Sequence, residues 1–253
     1  MLDWWRWWQR WRRARTLEKR PIPDALWQAT LERFPFLTRR SAADRARLRE
    51  LATLFLAQKE FTGAGGLQVT DEMAVAIAAQ ACVPVLELGL DGYAGFVGIV
   101  VHPDAVAARR ERTDEAGVVH HYVEELAGEA MDGGPLMLAW SDVADAGASA
   151  AWGYNVVIHE FVHVLDLHAG RAGVPADSWA RRLDAEYQGF VERIDRGDDT
   201  LLDPYGAEAI EEFFAVAAEA FFVAPLEFRD EEPVLYGLLR EFFRQSPADA
   251  ASA

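Results

Sequence analysis

Cysteine is nearly missing from this 253-residue chain: Cys82 is the single one. No intramolecular disulfide can form, so a reducing compartment is the simpler expectation and the chain is read as cytoplasmic. No stretch approaches the ~20 apolar residues that a membrane-spanning helix requires. Arginines break up the tryptophans at the N-terminus, so the uninterrupted apolar core of a secretory signal is missing too. Positive charge is scarce: Lys and Arg total 25 against 41 Asp and Glu, a formal net charge of −16. Phosphate binding needs a basic surface, so direct nucleic-acid binding is not expected. There are no internal repeats and no low-complexity linkers. What remains is 51% hydrophobic and 26% charged, the profile of a globular chain that can bury a sizeable core.

The scarce positive charge is concentrated at one end. Arg6, Arg10, Arg12, Arg13, Arg15, Lys19 and Arg20 face only Asp3 and Glu18, so residues 1–20 carry +5 and the remainder −21. On a helix, Trp4, Trp7, Trp8 and Trp11 form one stripe and Arg6, Arg10 and Arg13 another. Such a helix either touches a membrane surface or a partner through residues 4–15, or docks its tryptophans on the protein's own body. Pro21 and Pro23 end the segment. The division expected is a Trp/Arg-rich segment at 1–20, one domain at 21–246 and a disordered tail at 247–253.

Helical spacing runs from Asp24 to about Gln58, with Pro35 separating two helices and a loop at Gly63–Gly66. A helix near Asp71–Ala81 follows. Val83–Leu90, Phe96–Val101, Val118–Val123 and Leu136–Trp140 read as strands. From Ala150 the pattern is mostly helical, with loops at Gly170–Pro175 and Gly197–Gly206 that are candidate lids. The fold class is therefore α+β: a small central mixed sheet with an antiparallel edge strand, flanked by N-terminal and C-terminal helices. Leu136–Trp140 is expected at an exposed edge, where it would pair with an extended peptide substrate.

The run Val156-Val-Ile-His159-Glu160-Phe-Val-His163-Val-Leu-Asp166-Leu-His168 carries the chemistry. Histidines at i and i+4 lie one turn apart and project from the same helix face. That spacing lets two imidazole nitrogens share one zinc ion at ~2.0–2.1 Å. Glu160, turned ~100° from His159, reaches a water on that ion without ligating it. By ordinary residue frequencies the pattern arises by chance on the order of once per 100 or more chains. Its setting is more specific: Val156, Val157, Ile158, Phe161, Val162, Val164 and Leu165 make the helix apolar nearly all round. Two adjacent unpaired histidines would be costly in such a helix. Asp166 shares the histidine face and either orients a ligand histidine or faces water.

A catalytic zinc needs a third protein ligand and one open position. His168 lies roughly 140° off the ligand face. Asp166 and Ala169 stand where a metzincin pattern would need glycine and histidine, so that pattern fails. His102, His120 and His121 stay open. The helix Ala207–Phe222 offers better candidates. It is apolar over most of its circumference, and Glu212 and Glu219 share one face. Spacing ranks Glu212 ahead only narrowly; Glu208, Glu211 and Glu219 read as solvated or as supporting groups.

Four runs bear a resemblance to a known family: Cys82-Val-Pro-Val-Leu-Glu-Leu-Gly-Leu90, Gly134-Pro-Leu-Met-Leu-Ala-Trp140, Gly153-Tyr-Asn-Val-Val-Ile-His-Glu160 through Asp166, and Glu212-Phe-Phe-Ala-Val216. With these the chain, from about residue 24 to about 245, resembles the Mlc titration factor A family of bacterial zinc peptidases. The helix pair is also similar to the catalytic domain of anthrax lethal factor. The resemblance implies a gluzincin-like arrangement, with one zinc ion on His159, His163 and Glu212, and Tyr205 beside the metal. It implies aminopeptidase-type hydrolysis of short peptides, with Glu160 as general base, and binding of a transcriptional repressor of the Mlc type. The Trp/Arg-rich start departs from the family. Two other readings stand beside this one: a regulatory binding protein that sequesters a repressor with incidental hydrolysis, and a structural zinc site. Closed structural sites are usually cysteine-rich, and Cys82 alone does not supply that.

Overall fold

A computed structural model describes residues 2–104, 106–113, 119–126, 128–130, 134–166 and 176–251. The chain is mostly helical, with a small sheet in its middle. Helix α1 (Leu2–Lys19) leads into α2 (Asp24–Arg33), a 3-10 turn at Pro35–Arg39 and α3 (Ala42–Leu56). Ser41 caps α3: its Oγ accepts from the Asp44 N–H at 3.1 Å and donates to the Asp44 carboxylate at 2.7 Å. Strand β1 (Glu60–Gly63), helix α4 (Asp71–Ala81) and strand β2 (Gly98–His102) follow. Strands β3 (Val106–Thr113) and β4 (Val119–Leu126) make a separate antiparallel ribbon. Then come β5 (Gly128–Ala130), β6 (Leu136–Ala139), α5 (Trp140–Ser149) and α6 (Val156–Asp166). The C-terminal part is helical: α7 (Ala176–Arg196), α8 (Ile210–Val223), α9 (Pro225–Glu231), α10 (Pro233–Phe243) and α11 (Pro247–Ala251).

The sheet is built on three parallel strands in the order β1, β2, β6, with Glu60 opposite Gly98 and Ile99 opposite Leu136. Gly128–Ala130 runs antiparallel along the far side of β6. Leu136–Ala139 is therefore paired on both sides, and the expectation of an exposed substrate-pairing edge there is corrected. Trp140 begins α5 instead of extending the strand.

Val83–Leu90 is not a strand. Val83, Val85, Leu86 and Leu90 are buried, as the sequence suggests, but the backbone closes local turns: Val83 N–H to Gln80 O at 3.0 Å, and Gly89 N–H to Val85 O at 2.7 Å. Pro84 removes a ladder donor and Gly89 adopts φ +81°, both of which break an extended strand. The expected disordered tail is likewise corrected for Pro247–Ala251, which is helical. Ala248 is buried there, and its N–H donates to the Tyr236 hydroxyl at 3.2 Å.

Helix α6 is central, with α8, α4 and the sheet packed around it. Its Phe161 is fully buried, with ring centroids 5.1 Å from Tyr93, 5.5 Å from Phe55 and 5.9 Å from Phe96. The Lys59 ammonium lies 3.6 Å from the Phe96 ring and donates to the carbonyls of Tyr93 and Phe96 at 2.5 Å each, tying β1 to the turn before β2. Helix α8 is clamped from its other side by aromatics: Phe214 stacks edge-on with Phe242 at 5.0 Å and Trp179 at 5.6 Å, and Phe221 lies 5.0 Å from Tyr236. Such ring pairs contribute ~0.5–1.5 kcal/mol each beyond burial. They make α8 a stiff support for the glutamates it carries.

Candidate metal centre

Three elements meet at the site. Helix α6 supplies His159, Glu160 and His163; α8 supplies Glu212 and Glu219; the 3-10 turn Pro204–Ala207 supplies Tyr205. Helix α6 starts where it does because Asn155 caps it, its Oδ1 accepting the Ile158 N–H at 2.9 Å. The turn bearing Tyr205 is fixed by Asp203, whose carboxylate accepts the Tyr205 N–H at 2.9 Å. Gly206 lets that turn close onto α8, since an added Cβ would stand 3.3 Å from Cα of Phe213.

His159 Nε2 lies 3.1 Å from Glu212 Oε2, His163 Nε2 lies 3.2 Å from the same oxygen, and the two Nε2 atoms are 3.1 Å apart. Three donor atoms therefore form a near-equilateral triangle. One proton on a ring nitrogen can serve one of those contacts, not three. Ligands at ~2.0–2.1 Å from a tetrahedral ion stand ~3.3 Å apart, so the triangle fits a small cation. The other side of His159 is fixed: Nδ1 meets Glu219 Oε1 at 2.7 Å. Glu219 is 2% exposed, and its second oxygen accepts the Asn155 N–H. Asn155 Nδ2 in turn donates to Gln80 Oε1 at 2.7 Å, and Gln80 Nε2 to Ala76 O at 3.1 Å. This buried chain holds Nδ1 as the protonated nitrogen and leaves Nε2 with its lone pair toward the triangle.

The same donor set attracts positive charge, which a proton on His159 or a cation between the rings can supply. Burial works against a charged His159 ring, but Glu219, Glu212 and Glu160 outweigh it and hold its pKa well above the ordinary value. Burial also opposes ionisation of Glu212, yet hydrogen bonds from His159 and His163 draw its carboxyl down to about 2. Burial pushes the Glu160 carboxyl up to about 7, against the pull of both histidines. Burial raises Glu219 too, opposed by His159 and the Asn155 N–H. Three carboxylates surround two imidazoles in a poorly hydrated pocket, a balance that a dication would neutralise. The Tyr205 ring lies 6.2 Å from the His159 ring and is 38% exposed, at the open side.

The structure thus brings together His159, Glu160, His163, Glu212 and Tyr205. Glu208 and Glu211 face solvent. Asp166 ends α6, with its side chain outside the described residues, as are His168, the loop 170–175 and the side chains of His120 and His121; His102 ends β2. Sequence reasoning missed Asn155 and Gln80. An amide immediately before the apolar start of a helix is a capping signal that could have found Asn155; nothing in the sequence points to Gln80.

The family described as glucose-regulated metallo-peptidase M90 matches residues 8–244. This chain belongs to that family. It is 37% identical over 243 residues to an uncharacterized protein of Synechocystis, covering 92% of this chain and 88% of the relative. It is 33% identical to proteins named Mlc titration factor A from Salmonella arizonae, over 89% of this chain and 92% of the relative, and from Enterobacter, over 89% and 88%. M90 membership implies a metal ion. His159, His163 and Glu212 are the one such trio among the described residues, their ligand atoms all within 4.8 Å. Among the described residues no helix is long and apolar enough to cross a membrane.

Proposed function

We propose that this M90 protein is a zinc peptidase in which His159, His163 and Glu212 hold one zinc ion. The observation that carries the reading is the donor triangle at 3.1–3.2 Å, set against a buried Glu160. A zinc ion held there would supply a Lewis acid that lowers the pKa of a water from ~15.7 towards ~7. Glu160 would accept a proton from the attacking water and pass it to the amine nitrogen, as the water's oxygen bonds to the carbonyl carbon and the C–N bond breaks. The Tyr205 hydroxyl, at the open side of the site, donates to the substrate oxygen that gains charge. Glu219 keeps the His159 ring in the tautomer and orientation the site needs.

The finer reading, aminopeptidase-type cleavage of short peptides, rests on the family resemblance. The relatives' name, Mlc titration factor A, supports a second role as a partner of an Mlc-type repressor, which would place the chain in the cytoplasm. The test is to strip the protein with a chelator, restore zinc, and follow cleavage of a panel of short chromogenic peptides. Cleavage lost and regained with zinc is expected. Cleavage indifferent to the chelator would overturn the reading. Repressor binding is measured on the same samples, where it should survive Glu160→Gln.

A further inference from the structure

Three tryptophans of α1, Trp4, Trp7 and Trp11, turn away from the protein's own body. Trp4, Trp7 and Trp11 are 67%, 61% and 46% exposed, while the helix rests on α3 and seats Leu17 against the core. At ~100° per residue the three rings fall within a roughly 60° arc, a stripe of indole facing outward. The Arg12 guanidinium lies 4.7 Å from the Trp8 ring and that of Arg15 5.0 Å from Trp11, so cations flank the stripe. Trp8, Trp11, Arg12, Arg15, Lys19 and Arg20 line one shallow groove beside Ala57. The family match begins at residue 8, so it takes in Trp8 and Trp11 and starts just after Trp4 and Trp7.

We propose that α1 is a docking helix for an anionic lipid surface. Charge complementarity selects the occupant. Residues 1–20 carry +5 on a chain whose remainder carries −21. An anionic surface repels that remainder and attracts α1 alone, which fixes both the contact and the orientation of the protein on it. The side-chain type selects lipid over protein. Indole with an adjacent guanidinium is matched to the headgroup layer, where one edge is apolar and the other wet. Helix α1 is itself too charged to cross a membrane, so it lies on the surface. The proposal is independent of the peptidase reading, because its readout is lipid binding and not hydrolysis.

The experiment is co-sedimentation of the full chain with phosphatidylcholine vesicles, alone or with about one-third phosphatidylglycerol, at low and high salt. The triple variant Trp4→Gln, Trp7→Gln, Trp11→Gln and the double variant Arg12→Glu, Arg15→Glu run alongside, with circular dichroism and peptide cleavage as controls for folding. The wild type should bind anionic vesicles about tenfold or more tightly than neutral ones, and less at high salt. Both variants should lose most of that binding while remaining folded. Wild type that does not bind anionic vesicles overturns the proposal and turns attention to an acidic protein partner. Binding retained by the triple variant overturns it equally, by placing the contact elsewhere.

Discussion

Helices α6 and α1 invert each other's chemistry. Helix α6 puts polar groups where apolar ones belong: His159 is 9% and Glu160 6% exposed. Helix α1 puts apolar rings where polar ones belong, with Trp4 at 67% exposure. Each is costly taken alone. In α6 the cost is met inside the chain, by Glu219, Glu212, Asn155 and Gln80. In α1 Trp4, Trp7 and Trp11 stay exposed even with Arg15 beside Trp11, which points to something outside the chain. A local rule broken inside a satisfied network marks a reaction centre; one broken on an open face marks a docking surface.

That contrast can be broken in four ways. The largest effect should come from Phe161→Ala, which removes the ring between Phe55, Tyr93 and Phe96 beneath the site. A loss of ~3–5 kcal/mol is expected in denaturant unfolding. Tyr205→Phe should leave stability and metal content alone. It should lower kcat by ~10²-fold, or ~2.7 kcal/mol, if the hydroxyl meets the charged oxygen, and steady-state kinetics will read this. Glu219→Gln should weaken metal affinity by ~10–100-fold through loss of the His159 Nδ1 contact, seen in a chelator competition titration. Smallest of all, Trp7→Ser should shift unfolding free energy by less than ~0.5 kcal/mol, because an exposed ring contributes little to its own fold. A large loss there would mean that α1 is held by its tryptophans after all.

Much of the centre was legible because its signals are local. The i, i+4 histidines and the apolar flanks of Val156–Leu165 specify a buried helix with one ligating face, and the structure places His159 and His163 on it. Glu212 was separable from Glu219 only narrowly by spacing, since both share a face of α8. What divides them is depth: Glu212 reaches both Nε2 atoms, and Glu219 sits one turn-pair deeper behind Nδ1. Gln80, 75 residues from Asn155 in the chain, could not be read at all, because nothing local marks a long-range side-chain pair. The sheet was read less well. Glu60–Gly63 is short and only half-buried, so periodicity barely registers it. Val83–Leu90 has the composition of a buried strand, yet Pro84 and Gly89 divert it into turns. Leu136–Ala139 is equally apolar at an edge or in an interior, and pairing with β2 decides which.

The most direct test compares wild type with Glu160→Gln for bound zinc and for cleavage of short peptides. The account predicts about one zinc per chain in both proteins. Cleavage should be confined to the wild type, a difference of ~10²–10⁴-fold. Equal cleavage by the two proteins, or a wild type that takes up no zinc, would contradict it.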